Sequence, residues 1–312
     1  MQTQKSRPGQ GTAYATTSRT HGSPPAAFRE AMRAAGVLLA ADARIIPDGT
    51  LHRARAADDK AGALSIWFVL HPDEPASGAA GNWKTGARLT WCGKRQSALT
   101  ATERAEIARR ITEDRERAQE ATEARHRDAA AKAVRIWADS APAAAGHPYL
   151  DRKGMAPGIA RMSRGVLVLP VVDFSGALHG LQFIAPDGSK RFLTGMAKQG
   201  HFIPSGGTPS PDRPLWIAEG HATACTLSAL QPGVVVIAAC DAGNLASVAT
   251  EARKRWSGID LVVCPDFDQV GRRKGREAAI AARAKILPPP ANVPPGCTDW
   301  NDWCRAQEVR HD

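Results

Sequence analysis

Long apolar runs are missing from this 312-residue sequence: the longest near its middle, Val234 to Cys240, falls far short of the ~20 residues a membrane-spanning helix needs. The first 25 residues hold Lys5, Arg7, Arg19 and many Gly, Pro, Ser and Thr, with no apolar core. They read as a disordered basic tail rather than a signal peptide. No close C-x-x-C pair occurs among the six cysteines (92, 225, 240, 264, 297 and 304). Without a secretory context they read as reduced thiols of a cytoplasmic protein, not as a disulfide scaffold. A four-ligand cysteine–histidine set is also missing, so no zinc is expected. The absence of a G-x-x-x-x-G-K-[ST] loop excludes a P-loop nucleotide motor. Tyrosine is confined to Tyr14 and Tyr149.

What is plentiful is positive charge, and it is unevenly placed. The net charge of +10 lies wholly before residue 216: residues 1–100 carry +6, residues 141–215 carry +4, and the last third is balanced at 11 basic against 11 acidic. Phosphates of a nucleic acid are the usual counter-charge for such an excess, because each contact releases counterions.

Five segments are expected. After the tail (1–25) comes a small α+β domain (26–99), with a helical pattern at Phe28 to Gly36, a strand at Leu64 to Leu70, and Trp67, Trp83 and Trp91. Those tryptophans read either as core aromatics or as a base-stacking face. A connecting helix (100–146) follows: Thr100 to Ala138 lacks Gly and Pro, alternates acid with base and has few apolar positions, as a solvated spacer would. A basic hairpin-rich subdomain (147–213) has strands at Val166 to Val172 and Leu178 to Ile184 and a basic pair, Lys190-Arg191, at its exit. From 214 onward, strands at Leu215 to Ala218, Val234 to Ala239 and Leu261 to Cys264 alternate with helices at Ala222 to Leu230, Asn244 to Trp256 and Lys274 to Leu287. That alternation predicts a parallel sheet with helical crossovers.

Acids punctuate this last segment at one structural position. Glu219 follows its first strand directly, and Asp266 and Asp268 follow the third, before Gly271 and Gly275. Ligands of open parallel sheets bind at the carboxyl ends of the strands, so these acids can converge although 47 residues separate Glu219 from Asp266. Such a group suits Mg²⁺ or Mn²⁺, hard cations that take carboxylate and phosphate oxygens.

With those residues in view, segment 215–304 resembles a Toprim domain, the metal-dependent module of bacterial-type primases, topoisomerases and some nucleases. The string Leu169-Pro170-Val171, Asp173, Gly176, Leu181-Gln182-Phe183-Ile184, Asp187-Gly188, Lys190-Arg191-Phe192-Leu193 resembles the basic subdomain before Toprim in primases. His147-Pro148-Tyr149-Leu150 with Lys153, Ala242-Gly243-Asn244-Leu245 and Asp299-Trp300-Asn301-Asp302 resemble the Toprim primases of conjugative plasmids and phages. The fold implied is α/β: a Toprim-type parallel sheet flanked by helices, preceded by a basic hairpin-rich subdomain, a long connecting helix and a small α+β N-terminal domain.

The resemblance implies a DNA primase making short RNA primers on single-stranded DNA, in plasmid or phage replication or transfer. Its partners would be the template, ribonucleoside triphosphates and a separate replicative helicase, and no membrane. Glu219 would be general base or indirect metal ligand, Asp266 and Asp268 metal ligands, and Asp299 a further ligand unless it only caps the last helix. Lys190 and Arg191, and less directly Lys153 and Arg152, would face nucleotide or template. Thr223 stands where replicative primases carry another Asp, and their zinc ribbon is missing here. Other readings stay open: a Toprim nuclease using the same acids, or a non-catalytic single-strand-binding protein. A topoisomerase is a poor fit, since neither tyrosine lies in a separate DNA-gate domain.

Overall fold

The computed structural model of the chain describes residues 13–15 and 23–308, in two compact units, Met1–Ala121 and Thr122–Asp312. Of the segment read as a tail, residues 1–12 and 16–22 lie outside the described residues, whereas Ala13–Ala15 form a strand, β1.

In the first unit, α1 (Pro24–Ala34) packs on a sheet of β2 (His52–Ala54), β3 (Ile66–His71), β4 (Ser77–Asn82) and β5 (Arg88–Cys92), ordered β1-β5-β4-β3-β2. Period-2 alternation on β3 sends Ile66, Phe68 and Leu70 inward, where they meet Phe28 and Met32 of the helix. Gly78 makes this possible: a Cβ there would stand 2.6 Å from the Val69 carbonyl oxygen and 3.1 Å from the Phe28 ring. The three tryptophans differ in exposure. Trp91 is core, whereas Trp83 is 55% exposed, with Trp67 beside it (ring centroids 6.0 Å apart) and Arg53 over its ring.

The helix α2 (Ala101–Asp139) starts in a capping box: Thr100 Oγ1 accepts from the Glu103 N–H (3.1 Å) and the Glu103 carboxylate accepts from the Thr100 N–H (2.9 Å). It runs from the first unit into the second, with Ala129 and Ala133 its only buried side chains and the rest exposed or half-buried. In the first unit Asp114 pairs with His71 (2.8 Å). In the second, Ala129 and Ala133 are buried against Val168, Leu181, Phe183 and Leu193. A stripe of alanines carries too little hydrophobic signal to stand out in an Ala-rich helix, so periodicity misses it.

The second unit holds two further sheets. The first is antiparallel, β6 (Ala141–Pro142), β7 (Arg161–Ser163), β8 (Val166–Val172), β9 (Leu178–Ile184) and β10 (Lys190–Phe192), with α3 (Pro148–Lys153) before β7. The other contains β11 (Ile203–Gly206), β12 (Leu215–Ala218), β13 (Val235–Ala238), β14 (Leu261–Cys264) and β15 (Lys285–Ile286), ordered β11-β13-β12-β14-β15. Its β13-β12-β14-β15 ladder is parallel, as the alternation predicts, and β11 adds an antiparallel edge. The helices are α4 (His221–Leu230), α5 (Leu245–Arg255), α6 (Gln269–Ala282) and α7 (Trp300–Glu308). β12, β13 and β14 are near-continuous apolar runs because both faces of the sheet are covered, whereas β15 is a short exposed edge.

One buried side chain locks the segment between the two sheets. Asn244 Nδ2 donates to the carbonyls of Lys198, His201 and Ala239 (2.8–3.0 Å), and its Oδ1 accepts from the Gly200 N–H (2.9 Å). Asn244→Ala would strand several of these groups away from water, and a loss of about 2–3 kcal/mol is expected in urea denaturation.

Candidate active site

β12 lies between β13 and β14, so the crossovers leave β12 and β14 in opposite directions. The gap between those two strand ends is a topological switch point, where open α/β sheets bind ligands. Glu219 follows β12 and Asp266 follows β14, and the sheet register (Ala218 opposite Cys264) sets them side by side. Glu219 is buried, and its Oε1 accepts from the Asp266 backbone N–H at 3.0 Å. Burial, with Asp268 and Asp241 nearby, holds Glu219 above the usual carboxylate range, although the Asp266 N–H works the other way.

Asp266 is the most perturbed acid of the site. Its Oδ1 is buried without a hydrogen-bond partner. Burial first, then Glu219, Asp299 and Asp268, push its pKa up to about 8, against a smaller opposing effect of Lys190. Asp268 is exposed and serves as N-cap of α6, its Oδ1 accepting from the Gly271 N–H at 2.6 Å. The sequence places the start of α6 at Lys274, yet it begins at Gln269. Gly271 and Gly275 are not a lead-in loop but helix residues that let α6 approach closely: a Cβ on Gly271 would meet Glu219 Oε1 at 2.6 Å and the Asp266 carbonyl oxygen at 2.7 Å.

The Asp299-Trp300-Asn301-Asp302 motif joins this site from α7. Asp299 caps that helix, its Oδ1 accepting from the Asp302 N–H (2.8 Å), and its charge also acts on Asp266 and Lys190. Lys153 is engaged within the protein, donating to Asp302 Oδ1 (2.7 Å) with Asp299 Oδ2 at 3.8 Å. Asn301 ties α7 to both α3 and α4 by donating to the Lys153 carbonyl and Thr226 Oγ1, both at 2.9 Å. Arg152 donates to the Pro186 carbonyl at 3.1 Å.

Lys190 and Arg191 part company because successive strand residues face opposite ways. Lys190 lies over the Tyr149 ring (5.8 Å), within range of Asp266 and Asp299. Loss of water around its ammonium, then Lys153, lower its pKa, while those acids raise it. Arg191 instead stacks on Phe183 (4.5 Å), lining a cavity with Lys132 and Ile136 of α2.

His221 does not replace the acid that Thr223 lacks. It is buried on Ser205 Oγ (2.8 Å), and burial, with a smaller effect of Lys190, pushes its pKa down to about 4. Sequence reasoning misses Asp241, an acid three residues beyond the end of β13 whose charge reaches Glu219; it pairs with Lys198. Its signal is the same strand-end position that singles out Glu219. Also missed is the group Asp173, His179 and His201, whose ligand atoms lie within 4.8 Å of one another, the one such His/Cys/Asp/Glu group among the described residues.

The acids offer a hard divalent cation only oxygen donors, and Asp266 Oδ1 is orphaned, although no three of them bring ligand atoms within 4.8 Å of one another.

Residues 214–308 match the Toprim domain family. Beyond it the chain is similar to two DNA primases. One DNA primase TraC of Escherichia coli is 33% identical over 276 residues, 84% of this chain and 19% of that protein. A second DNA primase TraC of Escherichia coli is 30% identical over 286 residues, 85% of this chain and 26% of that protein. The chain thus spans about a fifth to a quarter of the length of these relatives. Among solved structures, the primase fragment of the bacteriophage T7 primase-helicase protein is similar with a TM-score of 0.37 and 18% identity, over 48% of this chain and 63% of that one. No helix among the described residues is long and apolar enough to cross a membrane.

Proposed function

We propose that this chain is a DNA primase that makes short RNA primers on single-stranded DNA by metal-dependent nucleotidyl transfer, in the cytoplasm, for replication or transfer of a plasmid or phage. The observation that carries this reading is the pairing of Glu219 with the Asp266 backbone N–H across the ends of β12 and β14, with the charges of Asp299 and of Lys190 from the basic hairpin both acting on Asp266. The similarity to TraC primases supports it.

Asp266, Asp268 and Asp299, with Glu219 behind them, would hold Mg²⁺ or Mn²⁺; the bound ion supplies charge stabilisation for the attacking and leaving oxygens of phosphoryl transfer. The primer's terminal hydroxyl attacks the α-phosphorus of the incoming ribonucleotide, a new phosphodiester forms and pyrophosphate leaves. Glu219, with its raised pKa, takes the proton of the attacking hydroxyl. Lys190 meets the triphosphate, and the net positive charge of 141–215 attracts the template. Strand opening would be the work of a helicase partner.

Labelled ribonucleotides offered with unprimed single-stranded DNA and Mg²⁺ test this reading. Short oligoribonucleotides are expected; a shortened template without them would show a nuclease, and binding alone a non-catalytic protein. The facing of the hairpin pair adds a prediction. Lys190→Ala should lower incorporation about tenfold or more, whereas Arg191→Ala should stay within about threefold, both read from initial rates.

A further inference from the structure

We propose that Asp173, His179 and His201 form a binding site for one divalent transition-metal ion, separate from the acidic site. Their ligand atoms lie within 4.8 Å of one another. Backbone pairing brings them together: Val172 and Phe202 exchange two hydrogen bonds (2.8 and 2.9 Å), and Val172 stands opposite Leu178 in the β8–β9 register. Each ligand residue is the sequence neighbour of one of these three, so the site is built on strand ends rather than on long loops.

The side chains are set as ligands are set. Asp173 Oδ1 is fully engaged, accepting from the Ser175 N–H (2.7 Å), Ser175 Oγ (2.5 Å) and the Ala177 N–H (3.1 Å). That fixes the carboxylate and leaves Oδ2 toward His179 Nε2, 2.9 Å away. Outer partners of this kind orient metal-binding groups. The His201 ring lies 4.0 Å from that of His179, centroid to centroid, and its Nδ1 is buried with no hydrogen-bond partner.

A simple Asp–His pair accounts for Asp173 and His179 but not for the second imidazole or its orphaned nitrogen. Two protonated imidazoles would repel at this separation, whereas a cation shared by two neutral rings and one carboxylate satisfies all three.

Two imidazole nitrogens and one carboxylate oxygen suit Zn²⁺, Co²⁺ or Fe²⁺ rather than Mg²⁺, which prefers an all-oxygen shell. Three protein ligands leave a position open toward a cavity of about 1100 Å³, which His126 of α2 also lines. The ion would clip the β8–β9 turn to the 198–202 segment that Asn244 clamps. Histidine and aspartate spaced six and 22 residues apart make no short metal-binding motif, which is why sequence reasoning passes over them.

The test uses the full chain, stripped with chelator and titrated with Co²⁺ in excess Mg²⁺. One equivalent should bind, with visible d–d bands of nitrogen and oxygen ligation and a raised melting temperature. His179→Gln/His201→Gln should weaken binding at least tenfold, whereas Asp266→Asn/Asp268→Asn should leave it unchanged. Asp173→Asn keeps an oxygen acceptor for Ser175 and Ala177, so it carries the test should the double histidine variant not fold. No stoichiometric uptake would overturn the proposal. So would a thiolate charge-transfer band that survives the histidine substitutions, displacement of Co²⁺ by Mg²⁺, or loss of binding in the Asp266/Asp268 variant alone.

Discussion

Asp266→Asn is expected to lower nucleotide incorporation by about 10²–10³-fold while making the metal-free protein more stable. Both effects have one cause. The substitution removes a carboxylate that burial, Glu219, Asp299 and Asp268 all penalise, and whose Oδ1 has no partner. In the unfolded chain Asp266 titrates near the ordinary aspartate value of 3.8, and in the folded chain at about 8. Between those values the native state binds more protons than the unfolded state, so stability falls as pH rises through this window and is lowest above it. Asn mimics the neutral acid and escapes that loss. Thermal melting in chelator from pH 5 to 9 should therefore show wild type declining, and the variant higher and flatter, by several degrees at about pH 8. Added Mg²⁺ should raise the melting temperature of wild type more than that of the variant. A variant that melts lower than wild type at pH 8 would mean that Asp266 is held by a favourable contact instead.

Gly271→Ala carries the second large effect. Helix propensity alone favours Ala over Gly in a helix by about 1 kcal/mol. Here the new Cβ would stand 2.6 Å from Glu219 Oε1 and 2.7 Å from the Asp266 backbone oxygen. The carboxylate can swing, but the Asp266 carbonyl belongs to the turn after β14 and cannot move without shifting α6. Overpacking of this kind costs about 1–3 kcal/mol, so it outweighs the gain in propensity. The expected result is a net loss of stability and a fall in activity of about tenfold or more, because Glu219 is the group displaced. Gly275→Ala is the control: its Cβ would meet the Pro265 ring at 2.6 Å, away from either carboxylate. It should destabilise comparably, in urea denaturation, while lowering activity far less. Equal losses of activity in the two variants would separate Gly271 from the site.

These two positions also mark how far the residue pattern alone reaches. β12 and β14 fall where unbroken apolar runs end in acids, so the convergence of Glu219 and Asp266 is legible from the order of residues. The start of α6 is not, because Gly271 and Gly275 read as breakers, and only the approach of Glu219 and Pro265 explains glycine inside a helix. β11 escapes notice because it is a four-residue edge strand containing Pro204, where hydrophobic pattern is weakest. The charges of the basic segment are visible in the sequence but their partners are not: Lys153 is held by Asp302, Arg152 by the Pro186 carbonyl, and Arg191 by the Phe183 ring. Side-chain direction separates Lys190 from Arg191, and that depends on which sheet face α2 covers.

The most direct test of the central claim compares wild type with Asp266→Asn/Asp268→Asn on unprimed single-stranded DNA, with labelled ribonucleotides and Mg²⁺ or Mn²⁺. Short oligoribonucleotides from wild type only, with DNA binding retained by both, is the predicted result. Equal product from both proteins would contradict it, and the acids at the ends of β12 and β14 would then not be where nucleotides are joined.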